Sequence, residues 1–472
     1  MVWSRGLVWV LLSLMFVSTS QAASWSHAST RKGEFTVKEV FLLGNKKTKP
    51  NIITREMSLK KGMTVGDSAL SALIEEDRMK IYNTNLFNEV EIQKLYTETT
   101  EVILLVKVTE RWYIFPSIIF KLADRNFNDW WVNQGRDFSR VNLGLRYEQF
   151  NFRGRREVLN LIFQLGFERR FLVNWRIPYI EKKQKHGLQF SYSYLESRNI
   201  GYETRDHVRI FVNDEKILRR EQRAGITYRF RNSFYNRHRV ALTFDHRTID
   251  DTVALLNPNY FTNASTIQRN FDIIYEFSRD LRNNNNFATK GSLLRVRAEK
   301  TGLGIFNEVD IFDITLDYSK YFDLGKNFSY ATGVTVFSSW PSRQPFERYN
   351  GLGFIDLVRG YEQDLIEGPR YALFKSTLRK RLFRHEQDIS KVMPIQQFHK
   401  IPLALWVKIF FDAGYVENYP EYEISERLSN EFLYSGGVGI DIVTIHDLVI
   451  RIESSLNSQG QVRFALSALT DI

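Results

Sequence analysis

The stretch Phe312–Tyr318 reads FDITLDY and places an apolar or aromatic side chain at every second position. Because successive residues of a strand point to opposite faces, this stretch would form a strand with one apolar and one polar face. Such a strand suits a wall between lipid and a polar lumen, and it also suits a soluble β-sandwich.

The same alternation recurs along the chain between residues 112 and 472. In Leu403–Asp412, for example, Lys408, Phe410 and Asp412 fall on the face opposite the aliphatic side chains. The alternation predicts about sixteen antiparallel strands, an even number like that of bacterial membrane barrels. They cover residues 112–121, 141–150, 156–166, 169–178, 186–200, 218–231, 238–248, 268–279, 291–300, 308–322, 326–338, 371–382, 402–415, 432–443, 447–455 and 461–469.

The lengths of the connections orient these strands. In membrane barrels the periplasmic turns are short and the external loops are long. We therefore place 151–154 and 323–326 on the inner side and 249–267 and 339–370 outside. A strand-like stretch at 206–212 is assigned to an external excursion at 201–217, because this keeps the strand count even. The long segment 383–401 then lies on the periplasmic side as an exception.

The beginning of the chain has the layout of a secretory signal peptide. A charged start, Met1–Arg5, precedes a largely apolar run from Gly6 to Val17 and a small-x-small site at Ser20–Ala22. The apolar run is too short to anchor a helix in a bilayer, so we predict that residues 1–22 are a signal peptide. No later stretch is long enough for a membrane helix, whereas the strands of a barrel leave no hydropathy peak.

The net charge of +11 is compatible with nucleic-acid binding, but its distribution argues against it. Residues 34–110 carry 11 basic and 12 acidic side chains, so the excess lies in the remaining chain. There it is interspersed with acids at alternate strand positions. This pattern indicates a basic lumen or a surface that faces anionic lipid.

The sequence shows no motif for catalysis or cofactor binding. It contains no Gly-x-Ser-x-Gly, His-Glu-x-x-His, phosphate-binding loop or dinucleotide fingerprint. The absence of cysteine excludes disulfides and thiolate metal sites. His385 and His399 are too far apart for the close ligand spacing of a helical metal site. We predict that the protein is not an enzyme and uses no cofactor or metal.

Residues 34–111 read as strand, helix, helix, strand, strand, a small α+β unit. Four of its segments resemble a POTRA domain, namely GNKKT at 44–48, Gly62, NTNLFNEV at 83–90 and VKVTER at 106–111. Gly44, Asn45, Phe87 and Val90 are the motif residues, and we expect Phe87 and Val90 to build the core. The resemblance implies that one sheet edge receives an extended polypeptide by strand addition.

A second resemblance lies in a long polar loop that contains Val358, Arg359, Gly360 and Tyr361, the string VRGY. About fifty residues later the chain reads FFDAGY at 410–415, which includes Phe410, Asp412 and Gly414. The pair resembles the signature of the BamA/TamA/TpsB superfamily. In that family the loop folds back into the barrel and its arginine meets a carboxylate on the inner wall. The alternation puts Asp412 on the inner face.

One wall position departs from the family's pattern. The family commonly has an acid on the strand after the loop, where this sequence has Thr377. Asp441, one strand further along the wall from Asp412, could supply the missing charge to Arg359. It could equally be an ordinary polar residue of the lumen.

The resemblance covers about residues 35–472 and implies a Gram-negative outer-membrane protein, with a POTRA domain at 34–111 in the periplasm and a barrel at 112–472. It implies non-enzymatic insertion or translocation of an unfolded outer-membrane or secreted polypeptide. That client would contact the POTRA edge and the seam between Trp112–Phe120 and Gln461–Leu469. The lipid bilayer is a further partner, periplasmic chaperones and accessory lipoproteins are candidate partners, and nucleic acid is not.

Two alternatives remain open at this point. A TpsB-like pore dedicated to one secreted protein usually has two POTRA domains and a leading plug helix, whereas one such domain is visible in the sequence. A diffusion porin would leave the POTRA-like segments and the Arg359 loop without a role.

Overall fold

The computed structural model describes residues 33–98, 100–122, 141–306, 309–394, 396–420, 428–444 and 448–469. The signal peptide predicted at 1–22 lies outside these residues. No helix in the described part of the chain is long and apolar enough to cross a membrane.

The amino-terminal domain is a four-stranded sheet with two helices on one face. Its elements are β1 (Glu34–Leu43), α1 (Pro50–Thr54), β2 (Thr64–Gly66), α2 (Asp67–Tyr82), β3 (Phe87–Glu98) and β4 (Glu101–Glu110). The strand order is β2-β1-β4-β3, so β3 is a long edge strand. The helices cover a core of fully buried side chains, among them Ile52, Leu70, Ile81, Phe87 and Leu104.

Two local features of this domain differ from the sequence expectations. The apolar residues Ile52, Ile53, Met57 and Leu59 have a spacing near that of a helix, which predicts a helix over 49–59, but the first helix ends at Thr54. The chain leaves the helix because the buried carboxylate of Asp77 accepts hydrogen bonds from the backbone N–H groups of Ser58 and Leu59, at 2.7 and 2.9 Å. Thr64 and Asp67 are both residues that can cap the second helix, but residues 64–66 form β2 against β1 and the helix begins at Asp67.

The rest of the described chain forms one antiparallel sheet of 16 strands that curves into a barrel. Its strands are β5 (Ile114–Leu122), β6 (Val141–Phe152), β7 (Glu157–Gly166), β8 (Glu168–Ile177), β9 (His186–Ser197), β12 (Arg219–Phe230), β13 (Asn236–Ile249), β14 (Ile267–Asp280), β15 (Gly291–Thr301), β16 (Ile311–Gly325), β17 (Phe328–Trp340), β20 (Arg370–Asp388), β21 (Lys400–Glu417), β22 (Phe432–Val443), β23 (Val449–Asn457) and β24 (Val462–Leu469). Two small hairpins lie outside this sheet: β10 (Asn199–Arg205) with β11 (Val208–Asn213), and β18 (Gly351–Leu352) with β19 (Ile366–Glu367).

The strand-like residues 206–212 therefore belong to a hairpin in a loop and not to the wall of the barrel, as predicted from the sequence. The long segment 383–401 is a different case, since β20 and β21 continue through most of it. Their pairing resumes after an irregularity between Arg381 and Phe383 and runs to the pair Asp388–Lys400. The two strands satisfy each other's backbone groups, so this hairpin extends beyond its neighbours in the wall.

Alternating exposure along the strands separates the outer and inner faces of the wall. On β21, Ile409 and Phe411 are 56% and 46% exposed, whereas Phe410 is 6% exposed and Asp412 is fully buried. On β16, Phe312, Ile314 and Tyr318 are exposed. Asp317 and Asp313 instead accept hydrogen bonds from the hydroxyl groups of Thr335 and Ser339. The apolar faces predicted from the sequence are thus the outer faces.

The two ends of the barrel differ in what covers them. At one end, which we call the domain end, the amino-terminal domain contacts the turns at 151–156, 178–185, 231–235, 281–290 and 389–399. At the other end, the loop end, a packed cluster joins Ile200, Val253, Tyr260, Phe261 and Phe346 from several connections.

This register can be tested by labelling single cysteines, because the chain has none of its own. A cysteine at Ile314 should react with a lipid-phase reagent, since this side chain is exposed on the outer face. A cysteine at Asp313, its neighbour on the strand, should be protected because its side chain points inward. Equal labelling at the two positions would contradict the register, since a shift by one residue exchanges the faces.

Candidate functional site

The connection between β17 and β20, residues 341–369, folds back into the barrel and packs on its inner wall. Leu352, Val358, Tyr361 and Ile366 of this loop are each 1% exposed. They form one buried apolar cluster with side chains of the wall that include Phe337, Tyr371, Leu373, Val416 and Leu433. Apolar packing thus holds the loop along the strands that flank it and their neighbours.

The guanidinium group of Arg359 lies at the centre of this contact. Its Nε and Nη2 donate hydrogen bonds to the two carboxylate oxygens of Asp412 on β21, at 2.8 and 2.6 Å. The backbone N–H of Arg359 also donates to Asp412, at 3.1 Å. The face of the guanidinium lies over the ring of Phe410, 3.8 Å from its centroid. A buried charge with a bidentate partner and an aromatic platform is held in one orientation.

Two further wall residues complete the surroundings of Arg359. Thr377 on β20 accepts a hydrogen bond from Nη2 at 3.1 Å, so it provides an acceptor in place of the family's acid. Glu453 on β23 provides the second carboxylate, 3.3 Å from Nη1. Sequence reasoning missed Glu453, because a single acid in a strand resembles any other polar residue of the lumen.

Asp441 does not take the role that we considered for it as the second acid of Arg359. It lies fully buried on the inner wall, but its carboxylate pairs with Lys408, 2.5 Å from Nζ. Lys408 also contacts Glu453 at 2.8 Å. Asp441 therefore belongs to the same charged network as Arg359, one step removed from the guanidinium.

Gly360 and Gly414 allow the close approach of loop and wall. Gly360 has φ +92°, and a Cβ atom there would meet Ser435 Cβ and Asn457 Cβ at 3.3 and 3.4 Å. A Cβ atom on Gly414 would lie 2.7 Å from Val358 Cγ2. A side chain at Gly414 would displace Val358 of the docked loop, and one at Gly360 would be strained by the positive φ and crowd Ser435 and Asn457.

Two further ion pairs, absent from our sequence expectations, hold other parts of the loop to β13 and to the β10–β11 hairpin. Glu347 accepts a hydrogen bond from Arg247 on β13, and both side chains are largely buried. Near the end of the loop, the fully buried Glu367 pairs with Arg209 of the β10–β11 hairpin at 2.9 Å. Charged contacts thus hold the loop at several points along its length, and no local motif marks the pairs of Glu347 and Glu367.

The POTRA-like motif residues serve the turn and the core of the amino-terminal domain. Gly44 has φ +90°, and a Cβ atom there would meet the carbonyl oxygen of Val108 at 2.0 Å. The side-chain amide of Asn45 donates to the carbonyl oxygen of Thr48 at 3.1 Å, which closes the turn. Phe87 and Val90 are 0% and 7% exposed in the core.

Strand edges are the other candidate binding elements. In the described part of the chain, β3 pairs only with β4, so most of its second edge is open. The edge strands of the large sheet, β5 and β24, have one partner each and do not pair with each other along their described residues. Their outward side chains are strongly exposed, with Ile118 at 80% and Phe464 at 81%.

One buried ionic cluster joins the amino-terminal domain to the barrel. Glu56, 2% exposed, accepts two hydrogen bonds of 2.9 Å from Arg231, which follows β12. Arg156 in the β6–β7 turn and Arg55 beside Glu56 lie 3.5 and 3.3 Å from the same carboxylate. Burial by itself would raise the pKa of Glu56, but the bonds and charges of Arg231, Arg156 and Arg55 lower it to about 2.

The described residues contain no group of three or more side chains arranged to hold a metal ion. The features of the site are therefore a docked loop, charged anchors and open strand edges.

Comparison with known families assigns this architecture. The family model described as the Omp85 superfamily domain matches residues 151–444, more than half of the chain. A POTRA model, described as surface antigen variable number repeat, matches residues 35–111. The chain belongs to the Omp85 superfamily, a family of outer-membrane barrels.

Several solved structures are similar to this chain at low sequence identity. The crystal structure of BamA from Haemophilus ducreyi lacking POTRA domains 1-3 superposes with a TM-score of 0.50 at 15% identity, over 92% of this chain and 85% of that chain. CdiB from Escherichia coli gives 0.47 at 11% identity over 97% and 91%. CdiB from Acinetobacter baumannii gives 0.46 at 12% over 93% and 74%. No curated protein sequence matches the chain significantly.

Proposed function

We propose that this protein assists the insertion or translocation of other polypeptides at the outer membrane, by strand pairing and without enzymatic chemistry. The observation that carries the proposal is that β5 and β24, the two edge strands of the 16-stranded sheet, have one partner each and do not pair with each other along their described residues. Unpaired backbone groups in a bilayer are costly, so an open edge is a template for an incoming strand.

The amino-terminal domain supplies a second edge for the same kind of ligand. We place it in the periplasm, because the short turns of the barrel lie at the domain end. A client segment would pair first with β3 and then reach the seam between β5 and β24. The energy would come from backbone hydrogen bonds and apolar burial, so this process requires no nucleotide.

A disulfide across the seam tests the proposal. In a variant with cysteine at Ser117 on β5, a second cysteine is scanned over positions 463–467 of β24 until a disulfide forms. The control disulfide joins Ser454→Cys and Phe464→Cys, which are cross-strand partners in β23 and β24. After depletion of the native protein in its host, the variant with the disulfide across the seam should fail to restore the outer-membrane proteome. A reductant that opens the disulfide should allow this variant to restore it. The control should restore the proteome in both conditions.

The pattern of loss separates the candidate roles. A general fall in barrel proteins indicates a general assembly factor, whereas loss of one secreted protein indicates a dedicated TpsB-like transporter. Full complementation by the closed seam would contradict a role for lateral strand pairing.

A further inference from the structure

A cavity of about 580 Å³ lies at the domain end, between the amino-terminal domain and the inner wall of the barrel. The domain contributes the start of its edge strand β3 together with Arg78, Tyr82 and Arg111. The barrel contributes the extended β20–β21 hairpin and the β14–β15 turn, with Arg381, Arg384, Lys400, Phe287 and Trp406. Its volume is in the range of pockets that bind a ligand. We call this cavity the vestibule.

The vestibule has a surplus of positive charge. Glu89 and Glu386 are its acidic side chains, and both face Lys400, whose Nζ lies 2.7 and 3.6 Å from their carboxylates. Arg384 is exposed, and its side chain has no hydrogen bond or ion pair with any described residue. Arg381 donates to the side chain of Asn327 but forms no ion pair within the described chain. A concave surface with an excess of one sign of charge attracts ligands of the opposite sign.

The vestibule also has an aromatic floor. The rings of Phe287, in the β14–β15 turn, and Trp406, on β21, are 5.2 Å apart between centroids, although the two residues are far apart in the sequence. Arg381 lies over Trp406 at 5.6 Å, and Arg111 lies over Tyr82 at the same distance. Phe287 and Trp406 are 6% and 7% exposed, so they form a packed floor below the cations, and the site suits a ligand with an acidic group.

The edge strand of the domain leads into this cavity. Asn88, Glu89 and Val90, at the start of β3, line the vestibule, and the hairpin turn covers them through the bond from Asn88 to the carbonyl oxygen of Gln397 at 2.7 Å. Beyond Val90, β3 continues to Glu98 with its second edge open. A chain paired along this edge would therefore enter the vestibule with one of its ends.

We infer that the vestibule binds an acidic end of an extended polypeptide whose neighbouring residues pair with β3. This inference rests on the proposed function in one respect, namely that the ligand is a polypeptide client, and it adds the chemistry by which the client is selected. Complementary charge acts on the rate of encounter and on discrimination between partners.

The test uses the purified full-length protein in detergent and three labelled synthetic peptides. All three share an alternating apolar and threonine segment, and they end in aspartates, asparagines or lysines. By fluorescence anisotropy at low salt, the acidic peptide should bind at least about tenfold more tightly than the neutral one, a difference of about 1.4 kcal/mol. The preference should shrink as salt screens the charges.

Arg384→Glu should abolish the preference for the acidic peptide, and Arg384→Gln should reduce it. The matched control is Arg205→Glu, which reverses an exposed charge in the β10–β11 hairpin at the loop end. It should bind all three peptides like the wild type. Heat-modifiable migration on gels checks that every variant is folded.

Equal binding of acidic and neutral peptides, or an unchanged preference in Arg384→Glu, would overturn the inference and leave the proposed function standing. Absence of binding by any peptide would also overturn it. The proposed function fails on a separate result, full complementation by the protein with a closed seam.

Discussion

Replacing Arg359 with alanine is expected to weaken docking of the loop at 341–369 by about 3–5 kcal/mol, the usual effect of removing one partner from a buried ion pair. Asp412 is fully buried and would lose the guanidinium that neutralises it. Loss of the Phe410 contact adds to the effect. Limited proteolysis near Tyr361 should become faster, and the folded band should be lost at a lower temperature on heat-modifiability gels.

Two further variants separate the ion pair from general damage. Asp412→Asn should reproduce the effect of Arg359→Ala, and Arg359→Asp combined with Asp412→Arg should recover part of the loss. Arg370→Ala is the matched control, because Arg370 pairs with Glu417 at 2.6 Å but both side chains are partly exposed. Arg370→Ala should weaken docking of the loop by only about 0–1 kcal/mol. If Arg359→Ala and Asp412→Asn both behave like the wild type, the arginine does not hold the loop.

Replacing Glu56 with glutamine is expected to loosen the amino-terminal domain from the barrel by about 3–5 kcal/mol, since Arg231 and Arg156 would lose their buried carboxylate. Spin labels on cysteines introduced at Leu95 and Lys183 would report the movement, because these residues are exposed on the domain and on the β8–β9 turn. The distance distribution between the labels should broaden in Glu56→Gln.

Glu75→Gln is the control for this variant, since Glu75 forms an exposed pair with Arg78 within helix α2. It should leave the distribution unchanged. A narrow distance distribution in Glu56→Gln, like that of the wild type, would contradict the role of Glu56 in holding the amino-terminal domain to the barrel.

The same contact should depend on pH in a defined direction. The pKa of Glu56 is lowered to about 2 in the folded protein from an ordinary value of 4.5. Its contribution to docking is therefore complete above about pH 4.5 and is lost as the pH falls towards 2. The wild type should show the broadened label distances in that acidic range, and Glu56→Gln should lack this step.

How much the sequence predicts depends on whether a feature has a local pattern. The barrel strands were predicted to within a few residues, because each strand carries its own alternation, as in Phe312–Tyr318. The position of Asp412 on the inner face followed from the same alternation. The hairpin formed by β20 and β21 was underestimated, since polar residues such as Arg384 and Glu386 also fit a loop.

The charged contacts that the sequence did not predict all join distant parts of the chain. Glu453 lies 94 residues from Arg359, and Arg231 lies 175 residues from Glu56. Each is a single charged residue at a lumen or turn position, where charge is common. Only the folded chain shows which of these side chains lose their water and meet a partner.

The partners of Arg359 also set an order of events during folding. Its side chain contacts Thr377 on β20, Asp412 on β21 and Glu453 on β23, while the hydroxyl of Ser435 on β22 donates to its carbonyl oxygen. All four strands follow the loop in the chain. Because contacts between distant segments form only after the intervening chain has been brought together, the loop docks late. The full set of contacts around the guanidinium therefore exists only once β23 has supplied Glu453.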